Sequence, residues 1–373
     1  MRKRILFVVT EDTALVSHRL HLVEEAIKAG FEVGLLSHFN KHRIFFEELG
    51  VKVFQWSLKR GSINPIHEIK SFGLLCKVLW KFQPGVIYAV TQKPVIYAGL
   101  ACKFFVGVGL VGTLGGLGFV FTSQQLKAKL VRPFVVFLLK LALKGEKVRL
   151  TLQNQDDIET IQRIGLIRPE FVRLVRGAGV EVEKFLPSKI RGGIPLVILP
   201  ARLLWNKGVG EFVSVATRFK FNGIKARFIL VGAIDPHNPE FIPQTQIDIW
   251  VKSGVIEHWG HCSNMHLIYP KATIVCLPSY SEGLPKALLE AASCSRPIVS
   301  FDVPGCREVV RNDVNGKLIR FGDLEELETA LIGLIKDREL CQKMGEEGRG
   351  IVESEFASAI INNQIFKVWS EVS

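Results

Sequence analysis

Thr273-Ile274-Val275-Cys276-Leu277-Pro278-Ser279-Tyr280-Ser281-Glu282-Gly283-Leu284-Pro285-Lys286-Ala287-Leu288-Leu289-Glu290 reads as a buried strand, a loop and the opening of a helix. Thr273 to Leu277 is an apolar run of strand length, and the helical run continues to Cys294. Pro285 fits the first turn of that helix, where its missing N–H costs nothing. The N–H groups of a helix start carry partial positive charge suited to a phosphate or a sugar oxygen. Glu282 is then expected in the loop and Glu290 two turns down the helix. A ligand that touches both acids must lie along the helix end, as a sugar–diphosphate–nucleoside does. Taken alone, an ordinary strand–loop–helix with two solvated glutamates fits equally well.

A second stretch of the same form alters that balance. Pro195-Leu196-Val197-Ile198-Leu199-Pro200 reads as a buried strand, followed by Ala201-Arg202-Leu203-Leu204-Trp205-Asn206-Lys207-Gly208, with a helical pattern beginning near Gly208. Arg202 and Lys207 thus fall in a strand-to-helix crevice, where open α/β sheets bind ligands. A flat guanidinium fork and an ammonium point charge together suit a diphosphate.

Working outward, the whole chain alternates short apolar strands with helical patterns. Strands are expected at 5–10, 31–37, 51–56, 86–90, 148–152 and 171–175, then at 196–200, 226–231, 255–259, 273–277 and 298–301. Such alternation predicts an α/β protein of parallel sheets with helices on both faces. Pro187, Gly192 and Gly193 mark a break between two Rossmann-like domains, expected at 1–186 and 187–356. Helical patterns from Leu324 onward close the chain, with a last helix over 357–373.

Composition sets limits on function. A chain of 373 residues, 48% apolar, can bury two substantial cores. Seven scattered cysteines, an odd number without a Cys-x-x-Cys pair, read as core thiols in a reducing compartment, and no metal-ligand cluster stands out among the histidines. Residues 1–185 carry 27 Lys and Arg against 15 Asp and Glu, whereas residues 186–373 carry 21 of each. The whole excess of +12 therefore sits in one half. No nucleic-acid-binding signature accompanies it, so an anionic membrane surface is the expected partner and nucleic acid is not. From Phe104 to Leu126 there is no charge, but six glycines oppose a spanning helix; a strand running into a glycine-rich loop is expected. Between 127 and 147, Lys129, Arg132, Lys140, Lys144 and Lys147 fall on one side of a helical wheel, with Val131, Leu138, Leu141 and Ala142 largely elsewhere. That pattern suits either a membrane-surface helix or one packed on a sheet.

The acid–x7–acid pattern, with Arg202-x4-Lys207 upstream, resembles the retaining nucleotide-sugar glycosyltransferases of family 4, which have the GT-B fold. The resemblance extends over essentially the whole chain, through Gly177-Ala178-Gly179-Val180-Glu181, Asp302 to Glu308 and Asn315-Gly316. Lys59 to Pro65, Leu204 to Val209 and Leu277 to Tyr280 are similar to the subgroup that extends polyprenyl-diphosphate-linked sugars. The resemblance implies two domains facing across a cleft, with the last helix crossing back to the first. It implies a UDP-sugar donor, a polyprenyl-diphosphate-linked acceptor, no metal cofactor, and a cytoplasmic enzyme on the inner face of the membrane.

Residue by residue, it implies that Arg202, Lys207 and Glu282 act on the reacting diphosphate and sugar. Glu290, with Gly283, Leu284, Pro285 and Lys286, would hold the donor, and Gly232 and His261 its nucleoside end. In the first half His18, Arg19, Arg60 and Lys93, expected in or beside loops after strands, would hold the acceptor. Asn154 reads as a helix cap. Many relatives carry a histidine in the loop after the first domain's central strand. Here that loop is Gly112-Thr113-Leu114-Gly115-Gly116-Leu117-Gly118-Phe119, which has no group to accept a proton. A nucleotide-sugar epimerase or hydrolase, or a non-catalytic nucleotide-sugar-binding subunit, remains an alternative use of the same residues.

Overall fold

The computed structural model describes residues 3–58, 64–122, 126–236 and 238–373. The chain divides into two compact units, residues 1–178 with 361–373, and residues 179–360.

The first unit alternates strands and helices: β1 (Arg4–Glu11), α1 (Asp12–Lys28), β2 (Glu32–His38), α2 (Arg43–Glu48), β3 (Lys52–Gln55) and α3 (Pro65–Phe82). It continues with β4 (Val86–Val90), α4 (Gln92–Ala101), β5 (Gly109–Leu114), α5 (Gly118–Thr122), α6 (Leu126–Ala142), β6 (Val148–Leu152), α7 (Gln155–Arg163) and β7 (Val172–Leu174). Its seven strands form one sheet in the order β3-β2-β1-β4-β5-β6-β7, parallel throughout. Along β1 the side chains alternate between two cores. Ile5, Phe7 and Val9 pack in one, while Leu6 and Val8 pack in the other with α3, α4 and α7. Burial on both faces is why this strand reads as a continuous apolar run.

The second unit holds β8 (Leu196–Pro200), α8 (Val209–Phe221), β9 (Arg227–Val231), α9 (Gln244–Lys252), β10 (Glu257–His258) and β11 (Ile274–Leu277). It then adds α10 (Lys286–Ser293), β12 (Ile298–Phe301), α11 (Pro304–Val309), β13 (Gly316–Ile319), α12 (Leu324–Lys336) and α13 (Arg338–Ile351). Its six parallel strands run β10-β9-β8-β11-β12-β13. Strand β13 was not expected; it is four residues long, begins with a glycine and is only half buried. Buried Arg296 and partly buried Arg349 staple the segment entering this unit: Arg296 donates to Ser188 Oγ at 2.7 Å, and Arg349 to the Phe185 carbonyl at 2.7 Å.

The last helix, α14 (Ser358–Ser370), returns to the first unit as expected. Ile361, Ile365 and Trp369 join the core of Ile5, Phe7 and Val9, with the Trp369 ring edge-on to Phe7 at 5.9 Å and to Tyr88 at 5.6 Å. In the Phe104–Leu126 stretch, β5 runs into the glycine-rich loop, and no described helix is long and apolar enough to cross a membrane.

Asp12 fixes the start of α1 and was not singled out in the sequence. Fully buried, it accepts backbone hydrogen bonds from Thr13 (2.8 Å), Asn40 (3.2 Å), Lys41 (3.2 Å) and His42 (2.8 Å). Burial pushes its carboxyl up, but the four N–H donors outweigh that and hold it below its ordinary value. A lowered folded pKa stabilises the protein above the unfolded value, about 3.9, and the effect is lost as pH falls through the folded one. Asp12→Ala is therefore expected to destabilise the protein by about 2–3 kcal/mol near neutrality. In urea titrations its difference from wild type should shrink below about pH 4; a difference independent of pH would refute this account.

Candidate functional site

In the second unit the strand order runs outward in both directions from the β8–β11 pair. The carboxyl ends of such a pair bracket the crevice in which open parallel sheets hold ligands. Both sequence stretches that carry the charged residues leave from these two strands. The loop after β8 brings Arg202 and Lys207, and the loop after β11 brings Ser279 to Pro285.

The two loops are bonded to each other. The Tyr280 amide donates to the Asn206 carbonyl at 3.0 Å, and Ser279 Oγ reaches the same oxygen at 3.2 Å. Gly208, at φ +74°, packs so closely that a Cβ would lie 1.9 Å from the Pro278 carbonyl oxygen. Only glycine permits both that conformation and that approach. The result is Lys207 Nζ 2.6 Å from Glu282 Oε1, with side-chain exposures of 19% and 13%. Arg202, by contrast, is half exposed and donates to Asp235 Oδ2 at 2.8 Å in the loop after β9. The two cations are thus held by different acids.

Helix α10 begins at Lys286, and Pro285 sits one position before it with extended backbone, φ −74° and ψ 105°. The proline is therefore the cap residue, not a member of the first turn, and its own side chain makes no cap hydrogen bond. Glu290 is the fifth residue of α10, little more than one turn in, not two. Tyr269 Oη donates to its Oε2 at 3.1 Å, and Lys286 Nζ lies 3.6 Å from Oε1. Burial pushes the Glu290 carboxyl up, opposed by Lys286 and by the tyrosine hydrogen bond. It is an acid held ready to ionise, at a higher pH than an exposed glutamate.

Gly232 follows β9, and a Cβ there would lie 1.8 Å from the Ala201 carbonyl oxygen, so close packing alone demands glycine. Its amide donates to Gly260 at 2.9 Å, and its carbonyl accepts from His258 Nε2 at 3.0 Å, which requires that nitrogen to carry the proton. His261 is exposed in the loop after β10. Asp235, His258 and Tyr269 are the residues that sequence reading missed. Each meets its partner from a different element, and no motif marks them.

In the first unit the expected loop positions need correction. The helix starts directly after β1, at Asp12, so His18 and Arg19 lie inside α1 and not at its entrance. His18 is exposed. Arg19 marks a kink (φ −137°, ψ 17°), is 4% exposed, and stacks its guanidinium over the Tyr88 ring at 5.5 Å with Nη1 buried and unbonded. Lys93 is the second residue of α4, not a loop residue, and lies 3.1 Å from both Glu68 oxygens. Arg60 lies outside the described residues. Asn154 caps α7 as expected, accepting from the Asp157 amide at 2.7 Å. The loop of Gly115, Gly116 and Leu117 presents no ionisable group.

Comparison with known proteins bears on the family and the fold. Residues 4–154 match the model of the glycosyl transferase 4-like family, and residues 183–350 match that of glycosyl transferases group 1. The chain is 27% identical, over 90% of its own length and 90% of the other's, to N,N'-diacetylbacillosaminyl-diphospho-undecaprenol alpha-1,3-N-acetylgalactosaminyltransferase of Campylobacter jejuni. Among solved structures, sucrose-phosphate synthase from Thermosynechococcus elongatus superposes with a TM-score of 0.81 at 16% identity, covering 100% of this chain and 99% of that one. Anabaena HepE in complex with UDP and glucose gives 0.79 at 18% identity, covering 99% and 100%. With two family models spanning most of its length and one fold shared from end to end, the chain is a GT-B-fold glycosyltransferase related to the group 1 and 4-like families.

Proposed function

We propose that the protein transfers a sugar from a UDP-sugar, with retention of configuration, to a polyprenyl-diphosphate-linked saccharide at the inner face of a membrane. The observation that carries this is the Lys207–Glu282 pair at the sheet's switch point, flanked by Arg202 and the start of α10. The Anabaena structure with bound UDP and glucose supports the donor class, and the name of the Campylobacter relative supports the acceptor class.

In this reading the diphosphate lies against Arg202, Lys207 and the backbone N–H groups of Gly283 to Lys286. Positive charge there offsets the negative charge that grows on the leaving diphosphate as the glycosidic bond breaks. Those side chains occupy the role a divalent ion plays elsewhere, so the reaction needs none. When the diphosphate engages Lys207, Glu282 is released to bind the sugar's hydroxyls and to oppose positive charge at the anomeric carbon. Glu290 accepts hydrogen bonds from the ribose hydroxyls, and Gly232 and His261 border the nucleoside. The glycine-rich loop after β5 offers no base, so the leaving phosphate oxygen takes the acceptor's proton. His18, Arg19 and Lys93, with Arg60, contribute to the acceptor's diphosphate, Lys93 by exchanging Glu68 for it.

A panel of UDP-sugars, assayed in EDTA with and without a bacterial lipid extract, tests the reading. Transfer that requires the extract supports it. Turnover without acceptor would favour an epimerase or hydrolase, and binding without turnover a non-catalytic subunit. By calorimetry in EDTA, UDP affinity should equal that measured with Mg²⁺; a fall of more than tenfold on chelation would refute metal independence.

A further inference from the structure

Helix α6 turns an apolar line outward. Leu126, Leu130, Phe134, Phe137 and Leu141 are spaced by four, four, three and four residues, which places them along one side of the helix. They are 78%, 79%, 62%, 62% and 44% exposed. The opposite side carries Leu139 and Ala142, both fully buried. The sequence pattern suits either a membrane-surface helix or one packed on a sheet; the structure adds this exposed line, of which only Leu141 was singled out in the sequence. The helix ends at Ala142, so Lys144 and Lys147 lie beyond it, and Lys147 reaches the Ser373 carbonyl at 3.3 Å. Arg132 turns to the Val120 carbonyl at 2.7 Å. Lys129 and Lys140 remain on the helix, exposed and beside the apolar line. Lys103 donates to the Lys144 carbonyl, which brings the turn of Phe104 and Val106 to the same end of the helix; these are 74% and 98% exposed.

We infer that this face of α6 inserts its apolar side chains into an anionic lipid surface. An apolar line flanked by lysines is the pattern of a helix lying in the plane of a membrane interface, apolar side chains below and ammonium groups among the headgroups. The charge decides against a second copy of the chain as the occupant. Pairing two such faces would bring together halves that each carry the +12 excess, whereas anionic headgroups neutralise it. The choice of lipid as partner rests on the membrane-bound acceptor proposed above, but the mode of attachment stands apart from it.

The test uses vesicles of phosphatidylglycerol and phosphatidylcholine that contain no polyprenyl lipid, so its outcome is independent of the acceptor. Phe134→Ser/Phe137→Ser should lower the fraction bound at least tenfold, with an unchanged melting temperature because both side chains face solvent. Lys129→Ser/Lys140→Ser should remove mainly the salt-sensitive share. Raising salt from about 0.15 M to about 1 M shortens the screening length from about 8 Å to about 3 Å, and wild-type binding should weaken without vanishing. Phe137→Trp should give fluorescence that brominated acyl chains quench, which reads insertion without deleting an apolar group. Equal binding of wild type and the double serine variant, complete release by salt, or an unquenched tryptophan would each overturn the inference. Concentration-dependent dimers in ultracentrifugation, lost in the serine variant, would instead assign the face to a second copy.

Discussion

Lys207→Ala is expected to lower kcat for sugar transfer by about 10²–10³-fold, the range seen when one preorganised stabiliser of transition-state charge is removed. Arg202→Ala should have the smaller effect on kcat. The ranking follows from burial and placement. Lys207 is four-fifths buried on a loop pinned by Gly208 against Pro278, so its charge acts in a medium that screens it weakly. The Arg202 side chain is half exposed and shared with Asp235, so water already screens much of its field. Removing Lys207 also leaves Glu282 without its partner, which couples the two positions. Lys207→Ala/Glu282→Gln should therefore be less impaired than the product of the single effects. Steady-state kinetics with saturating donor decides this. A Lys207→Ala enzyme within tenfold of wild type, or a larger loss in Arg202→Ala, would show that the diphosphate lies elsewhere.

The fold was legible wherever burial on both faces left an unbroken apolar run, as in β1, β8 and β11. It was not legible at β13, which is short, half buried and opens on Gly316. The positions of Arg202, Lys207, Glu282 and Glu290 could be read because they follow two such strands at short separations. Their partners could not. Asp235 meets Arg202 across 33 positions and Tyr269 meets Glu290 across 21, separations that only the folded sheet closes. Helix α1 began earlier than expected because Asp12 is satisfied by backbone amides of residues 40–42, a contact with no local signature. For α6 the helical wheel separated a basic side from apolar residues but did not single out the exposed line of Leu126, Leu130, Phe134 and Phe137. Apolar periodicity reports that a face is apolar, not what covers it.

The two glutamates should separate in kinetics. Glu282→Gln is expected to lower kcat by about tenfold to a hundredfold with little change in donor KM, because its interaction grows as positive charge develops on the sugar. Glu290→Gln should raise donor KM by a similar factor and leave kcat nearly intact, since the ribose hydroxyls are bound equally in ground and transition states. The environment of Glu290 adds a second signature. Burial holds its carboxyl above the ordinary glutamate value, against the pull of Lys286 and Tyr269. Hydrogen bonds from the ribose require the carboxylate, so donor affinity is full above that raised pKa and falls as pH drops through it. The loss should therefore set in at a higher pH than the value of about 4.3 for a free glutamate. Glutamine cannot titrate, and in Glu290→Gln this pH dependence of donor KM should disappear. Donor KM measured from neutral to mildly acid pH for wild type and both variants checks the assignment. A Glu282→Gln enzyme that lost the pH dependence while Glu290→Gln kept it would exchange the two roles.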